Sequence, residues 1–228
     1  SPGDCLAQLG ADRVAAGYKP PWSGLVPWES LSRRGKVNRL RRILGLASPK
    51  PRLADFRVDP DRAFLELVMA ADSLMREKGP RLSKAELAAS VESLSRRPGS
   101  RAARMAVALS EPRTASNPET WTRIVLLDAG LPRGIPNDRV EDPRGGTTRF
   151  IDVRVEGYRI GIEYQGGYHF EKAEVGYEDM VRREQLRELG WVMVEAGRRD
   201  GPDQSRLVRR VAIEIARIER LRLPSPQG

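Results

Sequence analysis

Apolar residues at intervals of three and four mark the first long element of this chain. Phe64, Leu67, Val68, Ala71 and Met75 share one face of a helix that runs to about Lys78. Asp59 and Pro60 supply its cap and its first-turn proline. Ser83 and Glu86 open a second helix as a capping box, continuing to about Arg97. Pro98-Gly99-Ser100 interrupts it, and 101–110 is helical again. Upstream, 31–46 reads as a short helix with Val37, Leu40 and Leu44 on one face. Residues 1–30, rich in Gly, Pro and Trp, read as an irregular arm, and 47–58 as a linker.

The pattern changes after a loop at 110–118. Ser116 caps a helix that Gly130 and Pro132 stop near Ala129. A loop of Pro, Asn, Asp and Gly residues follows. Two alternating runs, 149–155 and 159–165, read as strands. A helix at about 177–189 ends at Gly190, "WVMVE" at 191–195 is a strand, and a last helix covers about 203–222. This order predicts an α/β fold with a mixed sheet flanked by helices, preceded by a mostly helical N-terminal region. The division falls between 1–112 and 113–228.

The two strands raise a chemical question. With Gly157 first in a two-residue type II′ turn, Val155 lies opposite Ile160, Val153 opposite Ile162 and Ile151 opposite Tyr164. That face is apolar. The other sets Arg154 opposite Gly161, and Asp152 opposite Glu163. Opposed side chains have Cβ atoms about 5 Å apart, where like charges repel. A divalent cation between the carboxylates removes the repulsion. Gln165 lies on the same face as Glu163, and Gly161 leaves room beside the acids. The plainer alternative is that one acid is solvated or pairs with Arg154.

Charge sharpens this picture. The net charge is +9, and residues 1–52 carry ten basic and three acidic residues, +7 of that total. Such a balance favours an anionic partner, most often nucleic acid. Arg33, Arg34, Lys36, Arg39, Arg41 and Arg42 crowd one short helix, as a phosphate-contacting surface or as a solvated face. One cysteine, Cys5, and one histidine, His169, exclude an internal disulfide and a zinc site of the Cys/His kind. A reducing, cytoplasmic location is expected. Apolar runs are too short to span a bilayer. The chain begins with Ser, which reads as a piece of a longer protein.

The sequence "D…E-Y-Q-G-x-x-H" (Asp152, Glu163 to His169), then "D-x-x-R-x-x-x-L" (Asp179, Arg182, Leu186) and Gly190-Trp191, resembles the Vsr-like branch of the PD-(D/E)XK, or restriction-endonuclease-like, nuclease superfamily. The similarity covers about 113–222. It is nearest to a domain often joined to AbiEi-like antitoxin modules in actinobacteria, in which an S-x-x-E motif, here Ser116 and Glu119, opens the preceding helix.

The resemblance implies a Mg²⁺- or Mn²⁺-dependent DNA endonuclease. Asp152 and Glu163 would hold the metal. Gln165 would stand where the superfamily usually has Lys, so the missing charge would come from Arg182 or Lys172. Glu119 and His169 would complete the catalytic set, and Arg182 and Arg183 would contact DNA. Each also has a plain reading: Glu119 as a capping-box residue, His169 as a turn residue, Asp179 and Arg182 as a helix pair. A DNA-binding regulator or antitoxin-like protein on an inactive nuclease fold is the alternative function. A homodimer, or a larger defence or repair assembly, is the expected setting.

Overall fold

The structure, a computed structural model, describes residues 1–14, 19, 24–46, 61–76, 81–94, 96–141, 148–165, 173–197, 200 and 204–220, excepting the side chains of 12–13 and 173–179. Among these, eight helices and four strands follow the order α1 (Pro2–Arg13), α2 (Arg33–Ile43), α3 (Arg62–Met75), α4 (Lys84–Glu92), α5 (Ser100–Leu109), α6 (Asn117–Asp128), β1 (Gly134–Val140), β2 (Arg149–Val155), β3 (Ile160–Gln165), α7 (Ala173–Glu188), β4 (Val192–Gly197) and α8 (Ser205–Ile218). The architecture is α/β, with a mixed sheet in the C-terminal half and helices before it.

The N-terminal arm is not wholly irregular. Ser1 and Asp4 form a capping box and Pro2 sits in the first turn, so residues 2–13 become α1. Leu6 buries itself against α3, α4 and α5 around Phe64, Val68, Leu87, Val91 and Ala103, and Ala7 is buried too. The approach is very close at Gly99. A Cβ there would lie 2.1 Å from the Ala7 carbonyl oxygen, and its φ of 76° also favours glycine. Two other helix limits differ from expectation. α3 is capped by Asp61, whose carboxylate accepts from Phe64 N–H at 2.7 Å. Asp59 and Pro60 lie outside the described residues. α4 has the expected Ser83–Glu86 box but stops at Glu92.

The sheet runs β1-β2-β3-β4, with β1–β2 and β2–β3 antiparallel and β3–β4 parallel. β1 replaces the loop expected after α6. Its sequence, GIPNDRV, lacks a strand signature, but an edge strand tolerates proline. Two layers cover the sheet. Trp28, Leu40, Ile43 and Leu44 join α6, α8 and the sheet residues Val153, Val155, Ile160, Ile162 and Val194 in the main core. On the opposite face, Leu186 of α7 packs with Ile151 and Val140, beside Trp191 and Met193. α6 serves both the helical cluster, through Ile124, and the sheet core, through Val125 and Leu126.

A buried ion pair fastens these parts. Asp72 of α3 is fully buried and accepts from Arg123 of α6 at 2.7 Å, from Thr120 Oγ1 at 2.6 Å and from the Glu111 N–H at 2.7 Å. Burial pushes the Asp72 carboxyl up and the Arg123 guanidinium down, each opposed by attraction to the other.

Candidate functional site

The hairpin register holds where the ladder is regular. Val153 lies opposite Ile162, and Arg154 opposite Gly161. The turn differs from the type II′ expectation. The Tyr158 N–H bonds to the Val155 carbonyl at 3.1 Å, which puts Gly157, φ 78°, at the third position of a turn inside a four-residue loop.

Beyond Val153 the strand changes. The β1–β2 ladder skips Asn137 and Asp152, and Asn137 has φ 46°. Ile151 then packs with the α7 layer, whereas Val153 and Val155 stay in the main core. The single apolar face expected for these three is therefore split at Asp152. The β2–β3 ladder also ends here. Instead of a backbone carbonyl, the Asp152 carboxylate accepts the Tyr164 N–H at 2.9 Å. The carboxylate is thus held at the backbone of the residue after Glu163, where β2 and β3 part.

Glu163 faces α7, because its neighbour Ile162 is in the main core and strand side chains alternate. It is 2% exposed, and its Oε1 lies 3.2 Å from the Arg182 guanidinium. The parallel register sets Glu195 of β4 beside Glu163, and Arg183 pairs with Glu195. Two acids at one level of the sheet meet two successive arginines of α7. Glu195 escaped the sequence reading, although "IGIE" and "VMVE" end their apolar runs alike.

Glu119 is buried at the start of α6. Its carboxylate accepts from the Ala115 N–H at 2.9 Å and from Ser116 Oγ at 2.8 Å. Burial raises its carboxyl pKa; these two hydrogen bonds oppose the rise and the nearby Asp152 charge adds to it. Glu119 therefore caps its helix and also lies within electrostatic reach of Asp152.

Two points differ from the sequence expectations: the plainer alternative of an Arg154 pair, and the room beside Gly161. Arg154 is not paired to either acid of the hairpin. β1, unrecognised in the sequence, supplies Asp138, whose Oδ2 is 2.6 Å from Arg154 Nε. Nor does Gly161 leave space beside the acids: a Cβ there would lie 2.9 Å from Met193 Cε and 3.0 Å from Ile151 Cγ2.

Comparison with known proteins finds no family model, curated protein or solved structure that matches this chain.

Other site candidates are spread out. Gln165 is half-buried at the end of β3, on the Glu163 side by alternation. His169 and Lys172 lie outside the described residues, as does the Asp179 side chain. Arg33, Arg34, Arg41 and Arg42 are exposed on α2. Arg39 instead donates to the Gly130 carbonyl at 2.8 Å, and Lys36 stands 5.5 Å over the Trp28 ring. α2 packs with α8 on the main-core side of the sheet, away from the α7 side that Glu163 faces. Among the described residues no three His, Cys, Asp or Glu side chains converge to hold a metal ion. Nor is any helix long and apolar enough to cross a membrane.

Proposed function

We propose that this protein is a metal-dependent endonuclease acting on DNA. The observation that carries the reading is the seating of the Asp152 carboxylate on the Tyr164 N–H, at the residue next to the buried Glu163. Both donors are carboxylate oxygens, and Glu163 already attracts a cation, Arg182. That set suits a hard divalent ion, Mg²⁺ or Mn²⁺, which Asp152 and Glu163 would hold. Such an ion acidifies water and offsets charge on phosphoryl oxygens.

The chain's own groups do the rest. The Tyr164 N–H fixes Asp152, and alternation keeps Gln165 beside Glu163 to orient a water or a phosphate oxygen. Glu119, whose carboxyl holds a proton more readily than usual, is suited to pass one in or out beside Asp152. Water adds to phosphorus, the ester P–O bond breaks, and the leaving oxygen takes a proton.

Asp152→Asn and Glu163→Gln are each expected to keep the fold and abolish Mg²⁺-dependent nicking of plasmid DNA. Cleavage retained by either variant defeats the reading. A second reading, a DNA-binding regulator without turnover, is favoured by the uncharged Gln165 and by the Arg182–Glu163 pair. It calls for salt-sensitive DNA binding with no cleavage and no Mn²⁺ uptake.

A further inference from the structure

We propose that Arg182 is an exchangeable counter-ion of this site. It neutralises Glu163 in the metal-free protein and passes to a phosphate oxygen of the DNA when a divalent cation takes the carboxylate. The inference rests on the nuclease reading above.

Four observations support it. Glu163 is 2% exposed, and a buried carboxylate needs a positive partner to stay ionised. Arg182 meets that need from α7 at 3.2 Å, longer than the roughly 2.7–2.9 Å of a tight charge-assisted hydrogen bond. Its side chain is 33% exposed although Nε is buried, so part of it meets solvent and it has somewhere to go. Arg183, one residue on, is committed to Glu195, so the two arginines are not interchangeable.

The electrostatics make the exchange necessary. A divalent ion and a guanidinium on one carboxylate repel each other strongly where little water screens them. The ion can bind fully only if Arg182 withdraws. The chain also lacks a cation at position 165, and a guanidinium fits phosphate oxygens through paired donors. One residue thus answers two requirements at different stages.

The test is Mn²⁺ titration of the full chain, followed by calorimetry or by electron paramagnetic resonance, with plasmid nicking measured in parallel. Arg182→Gln is expected to bind Mn²⁺ about tenfold more tightly than the wild type, because a competing charge is gone. It is also expected to nick about 100-fold more slowly, because a phosphate contact is gone. Arg183→Gln serves as the control and changes Mn²⁺ affinity far less. Glu163→Gln loses the ion.

Unchanged or weaker Mn²⁺ binding in Arg182→Gln, with binding still lost in Glu163→Gln, overturns the exchange and leaves the nuclease reading standing. Equal tightening in Arg183→Gln overturns it too, since general charge removal then explains the effect. Full nicking by Arg182→Gln overturns the transfer to phosphate. Absence of Mn²⁺ binding in every form, the wild type included, overturns the nuclease reading and the exchange together.

Discussion

At Glu119 one side chain serves two environments. It satisfies the start of α6 through Ala115 and Ser116, and it sits where the Asp152 charge opposes its ionisation. Its carboxyl pKa is raised above the ordinary 4.5, chiefly by burial. A raised folded pKa stabilises the protein below the unfolded value, and that contribution is lost as pH rises through the folded value. Glu119→Gln cannot ionise. Relative to this variant, the wild type should lose stability as pH climbs above about 4.5, measured as the shift in urea midpoint. A flat difference across that range would show that the folded carboxyl titrates normally. The Ser116–Glu119 spacing was legible in the sequence as a cap. Its nearness to Asp152 was expected only through the family resemblance, because no local pattern shows how α6 packs over the sheet.

Among the elements, the strand pair was read correctly where ladder rules govern it and misread where they stop. Alternation and the place of the turn suffice for Val153 opposite Ile162, although the turn type does not match. Nothing local announces that Asp152 takes the Tyr164 N–H, or that Ile151 joins the α7 layer. β1 was missed because Pro136, Asn137 and Asp138 carry loop signals, while its strand character comes from pairing with β2. α1 was missed although its capping box is written in Ser1 and Asp4. Between helices, the α3–α6 contact depends on Asp72 and Arg123, which are 51 residues apart. Asp72→Ala strands a buried guanidinium and should cost about 3–5 kcal/mol by urea unfolding. Replacing both residues by Leu and Met should cost far less, since desolvation of the pair offsets much of its attraction. Equal losses would mean that the pair contributes a large net attraction.

Across the whole molecule, the chain changes layer more often than its order of elements suggests. α1 belongs to the helical cluster, α2 to the sheet core, and α3, α4 and α5 to the helical cluster again. α2 thus hides Leu40, Ile43 and Leu44 in a core completed by α8, near the other end of the chain. During synthesis, α2 emerges long before its cover exists. The helical cluster needs nothing made after α6 and is free to assemble first. Refolding followed by pulsed hydrogen exchange should therefore protect α3 and α5 amides before those of α2. Simultaneous protection would mean that the two cores form as one unit. Until α8 arrives, the most basic of the described helices is also an uncovered greasy surface, and that interval is when the protein is most exposed to aggregation.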